Sequence, residues 1–172
     1  MPELPHKIAV LCYLFDADGR VLLLHRRKPP NQDLYSPIGG KLETSLGESP
    51  TACAVREISE EVGLKVTAKD LHLTGIISEE AFQDECHWLM FLYELVKPVE
   101  VSCIEFDEGR LEWHDADSLN HLPIPATDRS VIWPLFWKYR GRFFTAHICC
   151  AGGRMEAVIE QPREESGPLR CV

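Results

Sequence analysis

No apolar run in this chain of 172 residues approaches the length of a membrane span. The most apolar stretches, residues 8–15 and 86–96, are strand-sized. The opening MPELPHKIAV lacks the basic segment and following apolar run of a secretory leader, so a cytoplasmic protein without a membrane partner is expected. Positive charge is scarce too: 18 Lys and Arg against 27 Asp and Glu give a net charge of −9. Such a surface repels a long phosphate backbone, which excludes extended nucleic acid as the expected partner. A small polyphosphate would also be repelled unless a divalent cation neutralised the place where it binds. The seven cysteines, Cys12, Cys53, Cys86, Cys103, Cys149, Cys150 and Cys171, are odd in number and include no C-x-x-C pair. They outline neither a zinc site nor a disulfide framework and are read as thiols of a reducing compartment.

What is present is globular: 45% of residues are apolar and 26% charged, with no repeat and no linker, so residues 1–161 are read as one domain. Residues 162–172, polar with two prolines, are read as a flexible tail. Strands are expected at 7–15 and 21–25 around the Asp16-Ala17-Asp18-Gly19 turn, then at 64–66, 71–78, 86–96 and 111–114. The polar stretch 79–85 reads as a loop that hangs over a site, and Trp88 and Phe91 read as core, with stacking on a base as the alternative. A helix is expected at 127–139 with Ile132, Leu135 and Phe136 inward and an interruption at Pro134. The runs 143–150 and 155–160 flank Ala151-Gly152-Gly153-Arg154 and form a C-terminal hairpin (143–160) suited to shaping a site mouth or a homodimer surface.

The most informative stretch is 39–64, GGKLETSLGESPTACAVREISEEVGL. Ser49 is a good N-cap, Pro50 suits the first helical position and Gly63 is the expected left-handed stop. Thr51, Ala54, Val55, Ile58 and Val62 form the core-facing stripe. Glu57, Glu60 and Glu61, at i, i+3 and i+4, share the other face. Like charges at that spacing repel, which points to a cation, and the double glycine Gly39-Gly40 lets backbone approach it closely.

This stretch resembles the signature of the Nudix hydrolases, Gly-x5-Glu-x7-Arg-Glu-U-x-Glu-Glu-x-Gly-U, where U is bulky and apolar. From Glu48 through Arg56, Glu57, Ile58, Glu60, Glu61 and Gly63 to Leu64 the match is complete. The one departure is seven residues rather than five between Gly40 and Glu48, with the excess in the loop 43–47. The resemblance covers roughly residues 7–139 and implies an α/β (α+β) fold, a mixed β-sheet sandwiched between helices. It implies Mg²⁺, or Mn²⁺ in its place, held by Glu57, Glu60, Glu61 and the Gly40 carbonyl, with Arg56 orienting Glu57. The base that takes a proton from water is Glu57 or a carboxylate of 105–112; Glu108 is the best match there, with Asp107 and Glu112 as competitors and a solvated acidic turn as the plain reading.

The stretches CYLF, VLLLHRRKPPN and LYSPIGGKLE resemble the MutT-like branch. That branch implies cleavage of a nucleoside triphosphate, oxidised or not, to monophosphate and pyrophosphate. The basic cluster His25-Arg26-Arg27-Lys28 reads either as a solvated strand end or as a phosphate clamp, and the branch places Arg27 near the nucleotide. It also puts Thr127 and Asp128 where a base edge is read, although both suit a helix cap. An ADP-ribose or dinucleoside-polyphosphate hydrolase is the alternative within the family. A catalytically silent module that binds nucleotide or protein is the alternative outside enzymes, and the intact Arg56, Glu57, Glu60 and Glu61 argue against it.

Overall fold

The computed structural model describes residues 3–29, 31–162 and 169–170. Among the described residues ten strands are found: β1 (His6–Tyr13), β2 (Val21–Arg26), β3 (Tyr35–Ser36), β4 (Leu71–Phe82), β5 (Cys86–Leu95), β6 (Glu105–Phe106), β7 (Gly109–His114), β8 (Phe144–Cys149), β9 (Glu156–Gln161) and β10 (Leu169–Arg170). Six make a mixed sheet in the order β1-β5-β4-β8-β9-β10, parallel at β1/β5 and β4/β8 and antiparallel elsewhere. The other four make an antiparallel sheet in the order β3-β2-β7-β6.

Two α-helices, α1 (Pro50–Glu57) and α2 (Trp133–Tyr139), lie over two separate hydrophobic cores. Strand alternation assigns residues to them. Val10, Cys12 and Leu14 with Leu22 and Leu24 pack with Cys53, Ala54 and Ile58 on the α1 side. Tyr13 and Phe15 with Leu23 and Ile77 pack with Leu135 and Phe136 on the α2 side. Both faces are buried, which is why the first strand is an unbroken apolar run. The expected sandwich of sheet between helices is therefore present. Tyr13 stacks on Phe136 at 4.1 Å between ring centroids, with Trp133 edge-on at 4.9 Å, an arrangement aromatic rings favour.

Several boundaries differ from the sequence reading. Residues 64–66 are not a strand; a short 3-10 turn, Ala68–Asp70, follows, closed by a capping box from Thr67. The supposed loop 79–85 is mostly strand: β4 continues to Phe82 and only a tight turn remains, with positive φ at Ala81, Gln83 and Asp84. Of the core stripe on α1, Thr51 and Val55 are half-buried while Cys53 is fully buried. The C-terminal helix opens as a wide π-type turn, Asp128–Ile132, in which the Trp133 N–H reaches back to the Asp128 carbonyl. This wide turn is where the interruption expected from Pro134 appears, and it leaves the proline in the first turn of α2, where no N–H is needed. The hairpin β8–β9 forms as expected, turning through Ala151–Gly153 with Gly152 and Gly153 at positive φ. Most of the tail 162–172 lies outside the described residues; within it Leu169–Arg170 pairs with Glu156 and Ala157.

Candidate active site

The segment between β3 and α1 brings backbone against carboxylate. At Gly39, φ is +151°, and a Cβ there would collide with the Val10 carbonyl oxygen. At Gly40 a Cβ would fall on the Glu57 carboxylate. The Gly39 N–H donates to Glu61 Oε2 at 3.1 Å, and the Gly40 carbonyl accepts the Val10 N–H at 2.9 Å. That carbonyl also accepts the Cys53 thiol at 3.9 Å, a weak contact that a cation could displace. The double glycine is thus a requirement of close packing at the acidic site.

Helix α1 starts as its sequence predicts: Ser49 Oγ accepts the Ala52 N–H at 3.2 Å with Pro50 next. After Glu57 the chain widens into a π-type turn, Ile58–Val62, stopped by Gly63 at φ 75°. Glu57 and Glu61 are buried, at 9% and 5% exposure, while the Glu60 side chain is exposed. Burial raises the Glu57 carboxyl, opposed by Arg56 and reinforced by Glu60 and Glu108. Burial pushes Glu61 up to about 8, opposed by the Gly39 N–H and reinforced by Glu57 and Glu108.

Arg56 ties the parts together. Nε and Nη2 hold Glu48 at 2.8 and 3.0 Å, Nη1 reaches Glu57 at 2.7 Å and Glu60 at 3.1 Å, and Nη2 also donates to the Lys41 carbonyl at 3.2 Å. The bidentate pair is the strong form of a guanidinium–carboxylate contact, and it holds the Glu48 carboxyl down at about 2. The two extra loop residues are absorbed by a 3-10 turn at Thr44–Leu46, closed by Gly47 in the left-handed region. Glu48 folds back to accept the Glu43 N–H at 2.8 Å. The longer loop therefore leaves the Arg56–Glu48 contact intact.

A cavity of about 370 Å³ runs from this acidic end. Its walls there include Gly39, Gly40, Lys41, Glu57, Arg26 and Glu108; deeper in they include Trp88, Met90, Glu79, Thr127 and Asp128. Glu108 is the carboxylate of 105–112 that reaches the cavity. Glu105 is paired with Arg27 and Asp107 with Lys28, while Glu112 accepts from Tyr35 at 3.0 Å and Arg110 at 2.7 Å. Arg27 does not line the cavity: it is half exposed on Glu105, and Arg26 takes that place. Thr127 and Asp128, both buried, do line it.

The sequence singles out Arg27 rather than Arg26 from the basic cluster and does not point to Glu79, while Trp88 both packs against the core and lines the cavity. Strand alternation held the signal for Arg26, which is two positions from Leu24 and four from Leu22 on the α1 side of β2. Glu79 was hidden by its polar neighbours. It pairs in register with Trp88 and Ile148, two residues after buried Ile77, so the pleat turns it inward.

At the inner end, burial pushes Asp128 up to about 7, reinforced by Glu79, and Glu79 is raised by burial against hydrogen bonds from Cys150 and Thr127. A raised carboxyl means that the folded protein keeps a proton the unfolded chain has released. The contribution of Asp128 to stability should fall as pH rises from about 4 to 7 and then level off. Asp128→Asn should flatten that slope, by up to about 4 kcal/mol for the 3.8-to-7 interval. Denaturant midpoints measured from pH 4 to pH 8 check this, and an unchanged slope would contradict the burial of that charge.

Repelling buried carboxylates beside a backbone carbonyl and a guanidinium anchor are the chemistry that suits a divalent cation. The donor set is all oxygen, which fits Mg²⁺ or Mn²⁺; among the described residues no three His, Cys, Asp or Glu side chains already converge at ligand spacing. The chain matches the NUDIX domain family over residues 5–133 and belongs to that family. It is a MutT-like member and an enzyme of the Nudix hydrolase class. Over 120 residues it is 28% identical to the "Uncharacterized Nudix hydrolase YvcI" of Bacillus subtilis (strain 168), covering 69% of this chain and 73% of that protein. The fold is similar to the crystal structure of a MutT protein from Bacillus halodurans, with a TM-score of 0.69, 25% identity and coverage of 91% and 99% of the two chains. It is also similar to the NUDIX domain of Shewanella oneidensis NrtR, complexed there with ADP ribose, at a TM-score of 0.63, 13% identity and coverage of 80% and 89%. At that identity the likeness is one of fold alone. Among the described residues no helix is long and apolar enough to cross a membrane.

Proposed function

We propose that this hydrolase cleaves a nucleoside triphosphate, canonical or oxidised, to the monophosphate and pyrophosphate with Mg²⁺, for which Mn²⁺ can substitute. One observation carries the reading: a single cavity joins the acidic Gly40–Glu57–Glu108 end to a polar inner end at Thr127 and Asp128. Its volume is within the usual range of small-ligand sites. Phosphates and base thus have separate walls in one space.

Glu57, Glu60, Glu61 and the Gly40 carbonyl would hold the cation, whose chemistry is to offset phosphate charge and acidify water. Arg56 fixes one oxygen of Glu57 and leaves the other to the cavity. Glu57 or Glu108 takes the proton of the attacking water, since both line the cavity. Arg26 faces the phosphates, and Thr127 and Asp128 face the base. A cytoplasmic setting is part of the proposal, supported by the free thiols of Cys12, Cys53, Cys86, Cys103, Cys149 and Cys150.

The test is product analysis with Mg²⁺ and a panel of canonical and oxidised triphosphates, ADP-ribose and dinucleoside polyphosphates. Pyrophosphate with monophosphate from a triphosphate supports the reading; cleavage confined to ADP-ribose or a dinucleotide overturns the substrate and keeps the metal chemistry. Turnover of nothing would favour a silent binding module. A finer prediction separates two neighbours. Arg26→Ala should raise KM about tenfold or more, the worth of a charged hydrogen bond. Arg27→Ala should change KM by less than about threefold, as expected of an exposed ion pair. Steady-state kinetics with the same substrate decides, and the reverse order would return the phosphate contact to Arg27.

A further inference from the structure

Three consecutive cations, Arg26, Arg27 and Lys28, leave the end of β2 beside the turn that carries Glu108. Arg26 pairs in register with Gly109, so the two residues after it run alongside Asp107 and Glu108. The Arg27 N–H donates to the Glu108 carbonyl at 2.8 Å. The Arg27 guanidinium pairs with Glu105, and the Lys28 ammonium pairs with Asp107. One backbone bond and two ion pairs thus surround the single residue of the turn that lines the cavity. The chain beyond Lys28 reaches the same place: Pro29 and Asn31 line the cavity, and the Asp33 N–H returns to the Arg26 carbonyl at 2.9 Å.

The ladder alone gives this turn little support. β6 has two residues, lies at the edge of its sheet, and meets β7 at only Glu105/Arg110 and Phe106/Gly109. Glu108 itself is exposed. In a chain with 27 acidic and 18 basic residues, a solubilising role gives no reason for two cations to converge on one turn. All four paired side chains are half exposed or more, so their hold is weak and screened by salt.

We propose that Arg27 and Lys28 are positioning residues for the hydrolytic step: their ion pairs keep the Asp107–Glu108 turn placed so that the Glu108 carboxyl faces the acidic end of the cavity, and salt loosens that hold. The inference rests on the hydrolase reading above and on the part given there to Glu108. A base acts only within hydrogen-bond reach of its water, and a small misplacement slows a positioned reaction. Two surface pairs bias the turn without fixing it. Their effect is therefore moderate and falls on kcat, while substrate binding, which uses Arg26 and the cavity walls, changes little.

The test uses the best substrate of the panel with saturating Mg²⁺ and reads single-turnover rates at about 0.05 M and about 1 M salt, between which the screening length shrinks to about 3 Å. The parent rate should fall about 3- to 10-fold at the higher salt. The double variant Arg27→Gln/Lys28→Gln should show the low rate at both salts, with KM within about threefold of the parent. Arg27→Glu combined with Glu105→Arg should recover most of the rate lost in Arg27→Glu alone. In a Glu108→Gln background the Arg27 and Lys28 changes should have no further effect, a coupling that a purely structural role would not produce. The parent's salt response does not depend on how well any variant folds. A salt effect absent from the parent or equal in the double variant, additive losses with Glu108→Gln, or an unchanged rate in Glu108→Gln itself would each overturn the inference and leave the hydrolase reading in place. Failure to hydrolyse any compound of the panel would overturn both.

Discussion

Glu57→Gln should lower kcat by about 10²- to 10⁴-fold, the equivalent of several kcal/mol of lost cation and proton-transfer chemistry. The isosteric amide keeps an oxygen for Arg56 but removes the charge that the site is built to use. The same change should leave the cation-free protein as stable as before or slightly more so, because a buried carboxyl raised by desolvation, Glu60 and Glu108 becomes neutral. Activity and stability would move in opposite directions, which simple unfolding does not produce. Glu60→Gln should have a smaller effect than Glu57→Gln, since Glu60 is exposed and solvent screens its hold on the cation. Single-turnover rates with Mg²⁺ and thermal melts without it check both. A Glu57→Gln enzyme within about threefold of the parent would remove Glu57 from the chemistry.

The largest loss of stability should come from Gly39→Ala. The backbone there adopts a positive φ that L-residues rarely take, and the added methyl would meet the Val10 carbonyl oxygen. That collision is with main chain, not with a side chain that could rotate away. Strain of this kind and overpacking each cost about 1–3 kcal/mol. A total of about 3–5 kcal/mol would lower Tm by roughly 6–20 °C for a domain of this size. Gly40→Ala makes a useful contrast: its methyl meets the movable Glu57 carboxylate, so turnover should suffer more than Tm. Equal Tm losses for the two variants would contradict this division between main-chain and side-chain contacts.

Much of the acidic end was legible in the sequence because it is local. Ser49, Pro50, Arg56, Glu57, Glu61 and Gly63 lie within one helix and its caps, and short-range spacing decides their geometry. The sandwich was legible as well, since a strand buried on both faces carries an unbroken apolar run. The inner end was not. Glu79 belongs to the cavity only because β4 lies between β5 and β8, a relation between distant segments that local polarity contradicts. The exchange of Arg27 for Arg26 is a phase error of one residue, which on a strand changes the face. Choosing Glu108 among its neighbours required seeing that Glu105, Asp107 and Glu112 each have cations or a tyrosine beside them.

The two cores on opposite sides of the sheet have a consequence for how such a molecule can change. The carboxylates proposed to hold a cation ride on the α1 layer, whereas Asp128 and Thr127 lead into the α2 layer, and the two layers pack in separate cores although one cavity reaches both. Substitutions that reshape the floor beneath α2 need not disturb the packing under α1. Preference among substrates is therefore open to drift while the reaction stays constant, with each half of the molecule mutating largely on its own account.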